Sequence, residues 1–375
     1  MIIQHKPNLI LEALAYLGRR ASNKTWDQME QRIQQRKVLP SPALCQALER
    51  LKALTHQLDR VATAEEKEIQ ALFGNLEGFP YNTIGSSSPA FFLLYPLLDR
   101  FQGDWEAFSQ LVDGLDREAV VWGIASIFED DLPNQRRMDT QAFTDLVLGL
   151  NAPDSTKVAL LELSRNHRAV GARALACLRP IVAHLEEHQA QLEELAAPYL
   201  QQCAPLSQLE FFTQLSHLRP APKTTYTLHP FLFGADTNLT FDEAPGQVRI
   251  YGGVLRRELM ELVSGRTSAQ DQVCETYRLL GDSTRFDILC YLRGRTAYVQ
   301  ELSTRFSLSR NTIHHHMNKL SDCGLVQCTI HGNRTFYTLD EEQVQLFLER
   351  QPALLGQKGR KNGGHPGGGM AAKRI

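Results

Sequence analysis

The chain has 375 residues, 43% of them hydrophobic and 22% charged, with a formal net charge of −2 at neutral pH. That length gives room for two or three domains. The composition is that of an ordinary globular protein, and no apolar run approaches membrane-spanning length, which excludes a transmembrane helix.

Residues 1–220 read as mostly helix. Apolar residues recur every three or four positions over Leu9 to Leu17, Trp26 to Ile33, Pro42 to Leu58, Ala90 to Phe101 and Trp105 to Val112. The same spacing covers Ala119 to Phe128, Phe143 to Leu150, Thr156 to Leu163 and Ala169 to Leu195. Pro7, Pro40, Pro80, Pro89, Pro133, Pro153 and Pro198 punctuate these segments. Gly85 to Pro89 is a loop in which Ser88 suits a cap and Pro89 a first helical turn. No fixed period repeats, which argues against a solenoid.

The pattern changes at residue 224. Thr224 to Phe233 and Gln247 to Tyr251 are rich in Thr, Tyr, Phe and Val and are expected as strands, with Asp236 to Gly246 as a connecting loop. Val254 to Val263 returns to helix, Gly265 to Ser268 is a hinge, and Val273 to Leu280 is a further helix. Three short helical patterns and two strands follow over 275–339. Asp282 or Ser283 caps a helix with Phe286, Ile288, Leu289 and Leu292 as its apolar positions, and Gly294 closes it. Val299, Leu302 and Phe306 turn inward from a second helix, and Ser307 to Ser309 form a turn.

Ser309 is placed to cap the third helix, where Ile313, Met317 and Leu320 share the core face. Arg310, Asn311, His314, His315 and Asn318 then face outward. Gly324 ends the helix, and two strands follow around a turn over Ile330 to Thr335. This is the order of a winged helix-turn-helix, whose third helix enters the DNA major groove. Arg suits guanine and Asn suits adenine, so Arg310, Asn311 and His314, early in the helix, are base-reading candidates. Ser309 and Thr312 hydroxyls suit phosphates, and Arg334 in the turn suits the backbone or minor groove.

The segment resembles the ArsR-type winged-helix family of bacterial transcriptional regulators. The match rests on Leu280 to Arg285 with Ile288-Leu289, on Glu301-Leu302, and on Ser309 to Leu320. It continues through Gly324-Leu325-Val326 and Gly332-Asn333-Arg334 with Tyr337. The resemblance implies a homodimer that binds double-stranded DNA at an inverted-repeat operator and is released by a signal. Larger members of that family carry helical amino-terminal extensions, and Leu228 to Phe233 is similar to their middle segment. The paired thiols of metalloid-sensing members are replaced here by Tyr298 and Gln300, and Asp340 to Arg350 offers carboxylates but no His. That family's metal chemistry therefore does not carry over.

Elsewhere, His184 and His188 stand four apart with Glu186 and Glu187 between them. They read as a solvated polar face, because no third ligand is identifiable from the sequence. The aromatic set Phe79, Tyr81, Phe91, Phe92, Tyr95, Trp105, Phe108 and Trp122 reads as core rather than as a ligand pocket. No phosphate-cradling Gly loop or nucleophile elbow is present, so neither catalysis nor a cofactor is expected. Seven scattered cysteines without a Cys-x-x-Cys pair, and no recognisable signal peptide, point to the cytoplasm and reduced thiols. Cys323 and Cys328 are the nearest pair for a redox switch, and no basic neighbour activates them.

The expected fold is mainly α: a large helical amino-terminal domain with a short β segment, followed by a winged helix-turn-helix domain. The boundaries are 1–223 for a helical sensory or interaction domain, 224–265 for the β pair and connecting helix, and 266–350 for the DNA module. Residues 351–375 form a Gly-rich basic tail, expected to be disordered. Charge is divided unevenly: +2 over 271–339, −4 over 340–349, +6 over 350–375 and −6 over the first 270 residues. A near-neutral reading head beside an acidic companion suits regulated DNA binding. The expected function is a dimeric repressor whose amino-terminal region senses an unknown small-molecule effector or a partner protein. An enzyme or an interaction scaffold fused to a DNA-binding module is the alternative.

Overall fold

Leu44, Leu48, Leu51, Leu54 and Leu58 recur at helical spacing, and all five are buried along one helix. The same rule organises most of the chain. The computed structural model describes residues 1–34, 40–77, 87–98, 104–128, 132, 137–150, 152–215, 220, 223–244, 246–264, 269–308, 310–331 and 334–354.

In chain order the elements are β1 (Ile2–Ile3), α1 (Leu9–Ala21), α2 (Trp26–Gln34), α3 (Pro42–Val61), α4 (Glu66–Phe73) and α5 (Pro89–Leu98). Then come α6 (Trp105–Asp113), α7 (Arg117–Ala125), α8 (Thr140–Gly149), α9 (Asp154–Glu187), α10 (Gln189–Cys203) and α11 (Gln208–Leu215). Three strands follow, β2 (Thr225–Phe231), β3 (Asn238–Ala244) and β4 (Gln247–Gly253), and then α12 (Arg256–Ser264) and α13 (Ala269–Leu280). The last elements are α14 (Ser283–Leu292), β5 (Thr296–Tyr298), α15 (Val299–Phe306), α16 (Arg310–Asp322), β6 (Val326–His331), β7 (Arg334–Leu339) and α17 (Glu341–Leu354). The chain is mainly helical, and a long helical region precedes the helix-turn-helix, as the composition and periodicity require.

One apolar core runs from Ile10 to Leu255, so the helices and the β segment share it. The long helix α9 is its spine, packing against α1, α5, α6 and α7. The periodicity predicts two helices here, ending at Leu163 and resuming at Ala169. The structure joins them across Asn166, whose backbone is non-helical (φ −105°, ψ 16°). His167 is buried at this kink, with its two ring nitrogens 3.2 Å from the carbonyls of Ser164 and Leu115. The break that the pattern does not reveal lies at His188, between α9 and α10, while Pro198 sits inside α10.

The sheet has the order β1-β2-β4-β3. β2 and β4 run parallel in unbroken register from Thr225/Gln247 to Phe231/Gly253, and β3 pairs antiparallel with β4. The predicted loop over 236–246 is therefore corrected to a strand, β3, because Asn238 to Asp242 fill the free edge of β4. Ile2 and Ile3 add a further parallel edge strand on β2, too short to leave a periodic signal. Gly252 must lack a side chain, because a Cβ there would run into the Tyr199 hydroxyl.

A polar clamp ties α1 to the segment after β2. Glu12 is wholly buried, and its two carboxylate oxygens accept the backbone N–H groups of Leu232 and Phe233, each at 2.8 Å. Arg19 donates to the Phe233 carbonyl at 3.1 Å, lies 3.7 Å from the Trp26 ring centre, and reaches Asp236 at 3.8 Å. Burial pushes the Glu12 carboxyl up to about 8, against the lowering effect of the two N–H donors.

Phe92, Trp105 and Phe108 are core residues, while Phe91 and Tyr95 stack at 4.3 Å and Tyr95 meets Phe241 at 4.6 Å. Tyr95 packs against the core, and Phe91 and Trp122 are half-buried. Phe79, Tyr81 and the 85–86 part of the predicted loop lie outside the described residues, as do the hinge 265–268 and the tail from 355. Among the described residues, no helix is long and apolar enough to cross a membrane.

Candidate nucleic-acid interface

The carboxy-terminal elements have a core of their own. Leu279, Ile288, Leu289, Leu292, Ala297, Val299 and Leu302 pack with Ile313, Met317, Leu320, Leu325, Val326, Cys328 and Tyr337. Asp282 starts α14 by accepting the Arg285 N–H at 3.1 Å, and the Arg285 guanidinium lies 3.5 Å from the same carboxylate. Burial works to raise the Asp282 carboxyl, but the Arg285 N–H and guanidinium hold it below its ordinary value. Ser307 ends α15 in the left-handed region (φ 55°), and Ser303 Oγ donates to the Leu308 carbonyl at 2.6 Å. These two features turn the chain sharply into α16.

Ile313, Met317 and Leu320 are wholly buried, as their spacing predicts, and so they fix the rotation of α16 about its axis. Gly324 then takes φ +72°, a conformation that a side chain would strain, and the Leu325 N–H returns to the Leu320 carbonyl at 3.0 Å. The three-stranded sheet β5-β7-β6 closes the module, with β6 and β7 in register from Val326/Leu339 to His331/Arg334. β5, three residues long, was not legible in the sequence.

Of the residues singled out for DNA, His315 and Asn318 are exposed, and Thr312 and His314 are half-buried. Arg310 and Asn311 occupy the first turn of α16, and Arg334 is the first residue of β7. The side chains of these three, and the whole of Ser309, Gly332 and Asn333, lie outside the described residues. One neighbour was missed. His316 is buried between α16 and the start of α14, where burial lowers its pKa against the opposing pull of Asp282. Its position one residue past His315, on the side of Ile313 and Met317, is the signal that could have found it. Behind the helix, Tyr291 donates to Glu301 at 2.9 Å, and Arg295 lies 4.7 Å from the Tyr291 ring centre. Cys328 is buried and Cys323 half-buried, and no disulfide joins any described cysteines.

A helix pinned by its apolar stripe against a small wing sheet, with a polar outer face, defines a winged helix-turn-helix. The sequence comparisons agree. The model of the bacterial regulatory protein, arsR family, matches residues 282–327. The transcriptional regulator KmtR of Mycobacterium tuberculosis is 35% identical over 81 residues, which are 21% of this chain and 62% of that protein. The transcriptional activator HlyU of Vibrio cholerae is 32% identical over 72 residues, 19% of this chain and 67% of that protein. The chain thus spans about two thirds of the length of these relatives, and about four fifths of it lies outside the match. Through this module the chain belongs to the ArsR family of bacterial regulatory proteins. The module is the DNA-binding helix-turn-helix of a transcriptional regulator.

Proposed function

We propose that the protein is a dimeric, sequence-specific transcriptional repressor whose amino-terminal region adjusts how two winged helices meet an inverted repeat. The observation that carries this reading is the orientation of α16. With Ile313, Met317 and Leu320 wholly buried, the opposite face projects His315 and Asn318 into solvent. Arg310 and Asn311 lie in the amino-terminal turn, where a recognition helix touches base edges. In this reading Arg310, Asn311 and His314 read bases. Ser309, Thr312, His315 and Asn318 hold the adjoining backbone, and Arg334 reaches it from the wing.

Dimerisation is supported by a second surface. α13 packs on α17, with the Tyr277 and Phe347 rings 5.4 Å apart, and Tyr277 and Leu348 remain about half exposed. A single wing offers few base contacts, so useful specificity calls for two copies. Two-fold symmetry then sets half-sites about 10 bp or a multiple apart. The amino-terminal region acts on this geometry through α12 and α13, which connect it to the reading head. An effector there works only through its different affinity for the two arrangements.

The test is binding of the full chain to its footprinted operator and to random DNA across a salt series. Asn311→Ala and His314→Ala are each expected to lower specific affinity by about 1–3 kcal/mol and to spare random-sequence binding. Arg334→Ala is expected to weaken both and to flatten the salt slope. Equal losses on both DNAs for all three variants would remove the assignment of roles. One relative is named an activator, so in vitro transcription with the bound operator decides the sense of regulation.

A further inference from the structure

At the elbow where α9 meets α10, three donor groups converge that the DNA-binding reading does not use. One ligand atom each from His184, Glu187 and His188 lies within 4.8 Å of the others. From spacing alone these histidines were expected to form a solvated face for want of a third ligand. The structure supplies that ligand in Glu187. His188 leaves the helix (φ −110°, ψ 22°), and its ring lies alongside His184, with centroids 4.1 Å apart and planes 26° off parallel.

Three details suit ligation. The His188 Nδ1 lies 2.8 Å from the His184 carbonyl, which can only accept, so Nδ1 carries the proton and Nε2 keeps its lone pair. A backbone carbonyl holding the far N–H of a ligating imidazole is a common support of metal-bound histidine. The His184 Nε2 is buried and has no hydrogen-bond partner, a cost that a metal ion at this point would remove. Finally, Glu186 is engaged by Arg179 at 3.5 Å, which leaves Glu187 as the carboxylate on the histidine side.

We propose that His184, Glu187 and His188 form a site for a borderline divalent transition-metal ion of the zinc type, with solvent completing the coordination. Two imidazoles and one carboxylate are the donor set that zinc, nickel and cobalt accept, whereas calcium and magnesium prefer oxygen alone. A helical His-x-x-Glu-His order holds zinc through its two histidines in one class of metallopeptidases, so the likeness supports the histidine pair, and Glu187 is placed as a ligand by its distance alone. The ion clips the elbow. α9 packs on the helical layer and α10 on β2, so a fixed elbow holds these two layers in register.

The experiment is a titration of the chelator-treated full chain with zinc by calorimetry and with cobalt by absorbance. One equivalent per chain is expected, with a cobalt spectrum free of intense thiolate charge-transfer bands. His184→Gln and His188→Gln are each expected to weaken binding by at least about tenfold. Glu187→Gln weakens it less, and Glu186→Gln leaves it unchanged. Zinc should also raise the unfolding midpoint of the wild type and not that of the His184→Gln/His188→Gln double variant. Absence of stoichiometric binding below millimolar zinc would overturn the proposal. So would a thiolate spectrum, or unchanged affinity in a double variant with a native circular dichroism spectrum.

Discussion

The buried clamp at Glu12 yields a prediction with a definite sign. Its carboxyl accepts two consecutive backbone N–H groups at 2.8 Å from inside the core. Glu12→Gln keeps the shape but presents an amide NH2 to one of those donors. One bond is lost and a buried N–H is left unpaired, at a cost of about 1–3 kcal/mol. The second effect depends on pH. Burial raises the folded-state carboxyl from 4.5 to about 8. A raised pKa means that the folded form holds the proton more tightly than the unfolded chain. Its stabilising contribution is therefore complete below pH 4.5 and is lost as pH rises through 8. That shift corresponds to a loss on the order of 5 kcal/mol across the window, since one pKa unit is about 1.4 kcal/mol.

Glutamine cannot titrate, so the variant should lack this slope. It should be less stable than the wild type at acidic pH, and the difference should shrink or reverse near pH 8. Urea unfolding followed by tryptophan fluorescence at intervals from pH 4.5 to 8.5 measures this. Trp26, Trp105 and Trp122 are the three tryptophans of the chain, Trp26 and Trp105 are core residues and Trp122 lies in α7, so the signal reports on the amino-terminal region. Subtracting the two pH profiles removes every group that titrates alike in both proteins. Parallel profiles over that range would refute the reasoning, because Glu12 would then titrate as an exposed carboxyl does.

Three further outcomes are expected. A fragment of residues 266–350 should bind a half-site weakly while the full chain binds the inverted repeat far more tightly, as read by electrophoretic mobility shift; equal operator affinity would mean that the amino-terminal region does not organise the dimer. Leu348→Glu, on the exposed face of α17, should change monomer stability by no more than about 0.5 kcal/mol yet shift sedimentation toward monomer and weaken operator binding; an unchanged dimer would place the interface elsewhere. Arsenite should leave the operator complex intact in a fluorescence anisotropy titration, because Tyr298 and Gln300 stand where a thiolate pair would be needed; release at stoichiometric arsenite would reveal a thiol site among the remaining cysteines.

What could be read from the sequence follows from how each element is stabilised. The long helices of the first 200 residues carry several turns of apolar spacing, and the reading helix combines its stripe of Ile313, Met317 and Leu320 with a polar face. Both signals are local. β3 was hidden because Asn238 to Ala244 contains Asp242 and Glu243 and gains its strand character only from pairing with β4. α4 and α11, eight residues each, are too short for periodicity to separate them from loops. Pro198 resembles a helix stop but lies within α10, and the true break falls at His188. The third donor at that elbow was readable in principle. Glu187 stands three residues after His184 and next to His188, positions that share one helical face, but an exposed Glu beside two His reads first as a solvated surface, and only the coordinates show the three ligand atoms within 4.8 Å.

The first strand has a bearing on how the chain is made. Ile2 and Ile3 pair with Thr227 and Leu228, and Glu12 awaits the N–H groups of Leu232 and Phe233. During synthesis at about 5–20 residues per second, some 220 residues must follow, which takes on the order of ten to forty seconds. For that interval α1 emerges with a carboxylate that has no native donors and an edge strand without a sheet. Helices α1 to α10 can associate early through nearby contacts, but the amino terminus is sealed only once β2 to β4 clear the ribosome. The reading head, built from neighbours within residues 279–339, has no such delay. A nascent chain stalled before residue 225 should therefore expose its amino terminus to proteases, and one released beyond residue 255 should protect it.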